Sequence, residues 1–246
     1  TAWEVDGLER IADAFVRTRR RADTPPRWFE PACGPGRYLR LAERRGYRVA
    51  GIDLSEPMID YARARIEALA LAPRAVLRVA DMTDFSTRDI GGAADFAFNT
   101  INSVRHLMTD EAMLDHLRCV ASVLRPGGVY ALGISLCNYG AEFPSEDIWE
   151  ARRGPVHVRQ VVQYTPPHGE RDDSDRVENV VCHFTITRPT GVEHATCAYD
   201  LRTYDPWQFL RIVERSPFAL EAVVDEHGED VGGLGPDYGV CILTPQ

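Results

Sequence analysis

The 246-residue sequence contains no run long and apolar enough to span a bilayer as a helix, and no secretory signal is visible in it. These absences lead us to expect a cytoplasmic protein, and Thr1 suggests that the natural start lies upstream. The six cysteines, Cys33, Cys119, Cys137, Cys182, Cys197 and Cys241, include no C-x-x-C spacing, so neither a zinc knuckle nor a redox pair is indicated. They read as small buried hydrophobes in a reducing compartment. A concentrated basic face is also missing. The formal net charge of −9 argues against broad binding to nucleic acid or to an anionic membrane. The one dense basic run, Arg17, Arg19, Arg20 and Arg21, follows a helix whose apolar stripe is Leu8, Ile11, Ala12 and Phe15. It reads as cations complementing a helix C-terminus. Small substrates remain as the expected partners.

The most informative segment runs from Trp28 to Asp53. Phe29-Glu30-Pro31-Ala32-Cys33-Gly34-Pro35-Gly36 is followed by an amphipathic helix and then by Val49-Ala50-Gly51-Ile52-Asp53. The order is strand, glycine turn, helix, strand, acid. Gly34 and Gly36 let backbone N–H groups approach a ligand closely, with the next helix N-terminus aimed at it. Asp53, 17 positions after Gly36, ends a second parallel strand beside the first, where a carboxylate accepts both hydroxyls of a ribose. A nucleoside-bearing ligand across two strand ends is therefore expected. The dinucleotide fingerprint needs a third glycine where Leu39 stands, and Glu30 would repel a pyrophosphate. The other end of the ligand is better read as cationic or zwitterionic.

This arrangement resembles motif I of the class I S-adenosylmethionine (SAM) methyltransferases, acid-x-Gly-x-Gly-x-Gly, with Ala32 in place of the first glycine. The likeness continues through a helix carrying Met58, Ala62, Ile66 and Leu69 behind Ser55 and Pro57, and a third strand, Ala75–Val79, leading into Asp81-Met82. Asp95–Ser103 is similar to motif IV. A helix stripe of Met113, Leu117, Val120 and Leu124 then ends at Pro126-Gly127-Gly128. The resemblance implies an α/β, Rossmann-like, seven-stranded mostly parallel sheet flanked by helices, forming a single domain over residues 1–246. It also implies SAM as cofactor. Ala32, Gly34 and Gly36 would admit its methionine part, Glu30 would orient the ammonium group, and the Asn99 or Thr100 carbonyls would face the same end. Asp53 would hold the ribose, Leu54, Met58 and Met82 would sandwich the adenine, and Asp81 would meet its amino edge.

Beyond Leu136 the sequence becomes rich in β-branched and aromatic residues. Val156–Tyr164, Val177–Ile186 and Glu193–Tyr204 predict a three-stranded antiparallel sheet, with a polar loop from Thr165 to Asp175 as its first connection. A helix over Tyr204–Ser216 containing Trp207, Leu210, Ile212 and Val213, then strands near Phe218–Asp225 and Tyr238–Leu243, complete the core. The expected additions are an N-terminal helical lid at 1–24 and an antiparallel β cap at 151–204, inserted between core strand 5 and the penultimate helix and roofing the acceptor pocket. The cap and Asn102–Leu107 resemble small-molecule N-methyltransferases acting on amino acids or amino sugars. Trp149, Tyr164, Tyr199, Tyr204 and Trp207 either line that pocket or fill the sheet interface.

The chemistry implied is in-line methyl transfer to a nitrogen or oxygen of a small-molecule acceptor. A base is useful because an amine must attack unprotonated and an alcohol must lose its proton. His106 is the first candidate, with packing against the cap as its alternative role; Tyr38, Tyr139 and His157 follow. No metal is expected, because Phe98-Asn99-Thr100 offers no carboxylate after Asp95. The absence of an Asn-Pro-Pro-Tyr-like run and of a Pro-Cys pair disfavours methylation of nucleic-acid bases. Two other readings remain: a non-catalytic SAM-binding sensor or partner subunit, and a nicotinamide-dependent oxidoreductase, which Leu39 and Glu30 oppose.

Overall fold

The computed structural model describes residues 2–19, 23–68, 75–167 and 176–246. Arg20, Arg21, Leu69 and the loop residues 168–175, on which expectations above bear, lie outside the described residues. The chain forms two compact units, Thr1–Val104 with Asp110–Ser135 and Pro206–Gln246, and Arg105–Thr109 with Leu136–Asp205.

The first unit opens with α1 (Ala2–Phe15), β1 (Arg27–Pro31), α2 (Arg37–Arg44), β2 (Arg48–Asp53), α3 (Glu56–Glu67), β3 (Ala75–Val79) and β4 (Ala94–Asn99). It continues with α4 (Asp110–Val123) and β5 (Leu124–Leu136). It closes with α5 (Pro206–Arg215), β10 (Phe218–Val224) and β11 (Asp237–Pro245). Its seven strands lie in the order β10-β11-β5-β4-β1-β2-β3. Strands β3, β2, β1, β4 and β5 run parallel, whereas β10 and β11 are antiparallel. Every residue of β1 and β4 is buried, as continuous apolar runs require when helices cover both faces of a parallel sheet. The expected α/β, mostly parallel seven-stranded architecture is present.

Local departures have physical causes. The buried stripe of α3 is Ile59, Ala62 and Ile66, and Met58 faces outward. Ser55 occupies the N-cap position of α3 without a side-chain cap bond; its backbone N–H donates to Asp53 Oδ1 at 2.9 Å instead. Leu124 does not extend α4. It begins β5, opposite Ala94. In α5 the buried residues are Phe209, Ile212 and Val213, while Trp207 is 72% exposed, so Trp207 is no core residue. Arg17 donates to the Ala14 and Val16 carbonyls, which satisfies C-terminal acceptors of α1 as its position suggested.

The second unit contains a four-stranded antiparallel sheet in the order β6-β7-β8-β9, made of β6 (Ser145–Arg153), β7 (Val156–Thr165), β8 (Val177–Arg188) and β9 (Gly191–Arg202). Three of these strands were expected; β6 was not. Its nine residues are all exposed and carry five charges, so no apolar alternation marks it. Val162, Val180, Cys182 and Leu201 form the buried centre, with Tyr164 and Phe184 packed against it. The buried Arg105 donates to the Arg202 carbonyl at 2.9 Å and pairs with Glu178 at 2.7 Å.

Ala32 adopts φ +53°, in the left-handed region that glycine enters freely. A left-handed alanine costs about 1–2 kcal/mol, and glycine adds about 0.4–1 kcal/mol of unfolded-state freedom. Ala32→Gly should therefore stabilise the protein by about 0.5–1 kcal/mol. Denaturant unfolding should show a raised midpoint at unchanged slope; a lowered midpoint would mean that the Ala32 methyl packs more favourably than its backbone is strained.

Candidate functional site

The glycine turn leaves β1 at Pro31 and enters α2 at Arg37. Gly34 and Gly36 have φ of +51° and +64°, so both need the freedom that only glycine has at no steric cost. The turn sits directly on β2: Cys33 N–H donates to the Ile52 carbonyl at 2.9 Å, and Gly34 N–H donates to Asp53 Oδ2 at 2.8 Å. This contact depends on Gly51, since a Cβ there would collide with Leu39 Cδ1 and lie 2.7 Å from Cys33 Sγ. Leu39, at the position of the missing third glycine, thus seats against a glycine of the facing strand. At Gly34 a Cβ would meet nothing within 4 Å, so the turn is open on its outer side. Burial, then Glu30 and Asp53, push the Cys33 thiol far above its usual pKa, which makes Cys33 a packing residue and not a nucleophile.

At the carboxyl ends of β1 and β4 two buried acceptors lack donors. Glu30 Oε2 and Asn99 Oδ1 have no hydrogen-bond partner among the described residues. The other side of the Asn99 amide is fixed, with Nδ2 donating to the Pro31 carbonyl at 2.8 Å. Burial raises the Glu30 pKa well above the carboxylate range; Arg37 pulls it down and Asp53 pushes it further up.

Asp53 has both oxygens engaged, one by Gly34 N–H and the other by Ser55 N–H, and remains partly exposed. Beyond it Leu54 is 69% exposed and Met58 45% exposed, two large apolar side chains left to solvent next to the acid. Met82 is nearly buried. Asp81 Oδ1 accepts from Thr83 N–H and Thr83 Oγ1, both at 2.8 Å, which closes the turn after β3.

Thr100 follows β4, and its carbonyl accepts the Tyr238 hydroxyl at 2.5 Å. Thr100 and Tyr238 line a cavity of about 230 Å³ with Trp3, Glu4, Tyr38 and Glu226. Tyr38 donates to Glu4 Oε1 at 2.7 Å and receives Arg37, so it is committed as a structural tie between α1 and α2. Tyr139 shares a hydrogen bond with Thr203 Oγ1 at 3.1 Å, and His157 Nε2 lies 3.4 Å from Glu150. His106 ends the short 3-10 turn Ser103–His106, with its ring 5.3 Å from that of Tyr199. Burial and then Arg105 lower its pKa from the usual value, which leaves the ring neutral at pH 7. Among the described residues no group of three or more His, Cys, Asp and Glu could hold a metal ion.

Sequence reasoning missed Tyr238 and Gly51. Tyr238 reaches Thr100 across 138 positions, and no local pattern signals such a contact. Gly51 did carry a signal, because a glycine inside a buried strand marks a close approach of another backbone or side chain.

Residues 29–128 match a family model described as a methyltransferase domain. Over 199 residues the chain is 30% identical to 27-O-demethylrifamycin SV methyltransferase of Amycolatopsis mediterranei (strain S699), a match that takes in 79% of this chain and 68% of that protein. The chain belongs to the SAM-dependent methyltransferase family. The chain is also 32% identical over 124 residues to dTDP-3-amino-3,4,6-trideoxy-alpha-D-glucopyranose N,N-dimethyltransferase of Streptomyces venezuelae, covering 50% of this chain and 48% of that one. It thus spans about half the length of that relative. Its fold is shared with the crystal structure of Streptomyces venezuelae DesVI at a TM-score of 0.71 and 23% identity, over 99% of this chain and 92% of that one.

The residues present fit the family's cofactor. The open cradle at Gly34 leaves room for a chain passing over it, and the orphaned Glu30 and Asn99 oxygens suit the donors of an α-ammonium group. A cation brought beside Glu30 would lower the raised pKa of its carboxyl. Binding of S-adenosylhomocysteine should therefore release protons wherever the pH is near or below the Glu30 pKa of the empty protein, and affinity should rise with pH until the pH passes that pKa. Calorimetry in two buffers of different ionisation enthalpy reads this directly. Glu30→Gln should abolish the proton release and weaken binding by about 1–3 kcal/mol; unchanged proton release in that variant would place the titrating group elsewhere.

Proposed function

We propose that this methyltransferase transfers the SAM methyl group to a nitrogen or oxygen of a small-molecule acceptor. The observation that carries the reading is the pair of buried, undonated acceptors, Glu30 Oε2 and Asn99 Oδ1, at strand ends of a sheet whose glycine turn Asp53 holds by its backbone. When bound, the donor supplies a methyl already activated on a sulfonium, so the chain's contribution is alignment and exclusion of water. Ala32, Gly34 and Gly36 admit the methionine part, Glu30 and Asn99 accept from its ammonium group, and the Thr100 carbonyl lies at the same end. Asp53 takes the ribose, with Leu54, Met58 and Met82 about the adenine and Asp81 at its amino edge. In this reading α1, tied to α2 through Glu4 and Tyr38, is a lid. The names of the relatives, an N,N-dimethyltransferase of an amino sugar and a methyltransferase of a rifamycin, support a small acceptor. The acidic and aromatic lining of the cavity beside Thr100 suits a cationic group and favours an amine. Free cysteines throughout, including Cys182 directly opposite Cys197, support a reducing compartment such as the cytoplasm.

The test is calorimetry with SAM and S-adenosylhomocysteine, followed by a methyl-transfer screen over amines and alcohols. Micromolar binding of both ligands is expected. Asp53→Ala should weaken binding by about 1–3 kcal/mol, since hydrogen bonds to a charged acceptor are lost. Wild-type affinity in that variant would overturn the ribose assignment, and donor binding with no transfer to any acceptor would favour the non-catalytic reading.

His106 is proposed as the base. No hydrogen-bond partner occupies either of its ring nitrogens among the described residues, and its lowered pKa keeps a lone pair available at neutral pH. Activity should fall as pH drops through a pKa below 6.5, because only the neutral ring accepts a proton. His106→Ala should lower turnover about 10²-fold or more, with little change in SAM affinity. Unchanged turnover across the pH range would remove His106 from the chemistry.

A further inference from the structure

α4 carries a histidine that the helix stripe did not single out and that methyl transfer does not use. His116 is fully buried, with both ring nitrogens committed. Nδ1 lies 2.9 Å from the Met82 carbonyl oxygen and Nε2 lies 2.8 Å from the Tyr130 hydroxyl of β5. The carbonyl can only accept, so Nδ1 bears the hydrogen, and Nε2 must then accept from Tyr130. The rings of His116 and Tyr130 stand edge to face, with centroids 5.7 Å apart. One turn along the same helix, Cys119 Sγ donates to the Thr83 carbonyl at 3.2 Å. Two consecutive carbonyls of the turn after β3 are thus held by side chains of one helix, and Asp81 closes the same turn on Thr83.

We propose that His116 is a positioning residue for the adenine end of the donor site, fixing the Asp81–Asp84 turn through the Met82 carbonyl. The proposal rests on the assignment of Asp81 and Met82 to adenine made above. Burial holds the His116 pKa down at about 4, so the tautomer that donates to Met82 persists across neutral pH. Tyr130 in turn prevents the ring from flipping, because a flipped imidazole would direct a C–H where the hydroxyl needs an acceptor.

The test compares three substitutions with two ligands, S-adenosylhomocysteine and 5′-methylthioadenosine, the second of which lacks the amino-acid tail. His116→Leu removes the donor and should raise both Kd values together by about tenfold, the loss expected for one buried hydrogen bond ordering a binding loop. The kcat at saturating SAM should stay within about twofold, so that the effect appears in KM. His116→Asn places an amide nitrogen near the Nδ1 position and should recover most of the affinity; His116→Gln places it near Nε2, away from Met82, and should not. Equal binding by the Asn and Gln variants, or wild-type Kd in a folded Leu variant, overturns the proposal. If the Leu variant fails to fold, the Asn and Gln pair still decides. Asp81→Ala separates the underlying assignment. Wild-type affinity there means that the adenine reading has failed, whereas weakened binding in Asp81→Ala with none in His116→Leu means that only the positioning role has failed.

Discussion

The close approach of the glycine turn to β2 at Gly51 is the constraint on which the site depends. Because position 51 has no Cβ, Cys33 and Leu39 rest on the strand backbone, and this brings Gly34 N–H to within 2.8 Å of the Asp53 carboxylate. The Asp53 bond fixes the turn, and the turn fixes where α2 begins and where its free N–H groups point. Larger residues at 51 would push α2 outward and separate the acid from the turn. The chain therefore replaces a glycine in the helix with a glycine in the strand, which is why absence of the third glycine from the fingerprint leaves close helix–sheet packing intact.

Much of the core was legible because its signals are local. Trp28 to Asp53 carries turn chemistry, periodicity and an acid within one βαβ unit, and β3 runs over Ala75–Val79 as its β-branched run indicated. Elements whose stability comes from elsewhere were not legible. Strand β6 has Ile148 and Trp149 side by side, hence on opposite faces, among charges; only pairing with β7 makes it a strand. Met58 and Trp207 fit a helical apolar spacing and yet face solvent, because amphipathic spacing states which residues share a face and not whether that face is covered. Tyr238 and His116 act on loops 138 and 34 positions away, and sequence offers no period for such contacts.

Burial without partners at Glu30 and Asn99 is costly. An undonated buried acceptor costs about 1–3 kcal/mol, more when charged, and a folded chain tolerates few of them. Raising the Glu30 pKa lessens the cost by favouring the neutral carboxyl, but leaves its Oε2 without a donor. A ligand carrying N–H donors and positive charge removes both penalties at once, so the strain present without ligand becomes a contribution to affinity. A zwitterionic tail meets both needs, whereas a phosphate brings negative charge and no N–H donor.

Of the loops that leave the carboxyl edge of the sheet, those after β1, β3 and β4 each have a backbone group held by a side chain from another element. Asp53 takes Gly34 N–H, His116 takes the Met82 carbonyl, and Tyr238 donates to the Thr100 carbonyl. Burial holds the Cys33 thiol and the Tyr38 hydroxyl protonated, so neither is a reactive nucleophile. A covalent enzyme intermediate through either group is thereby disfavoured, and direct transfer is left. Direct transfer from an activated methyl depends on alignment, and alignment is lost most easily through loops that must be ordered at the moment of binding. Fixing each loop through its main chain meets that ordering cost during folding.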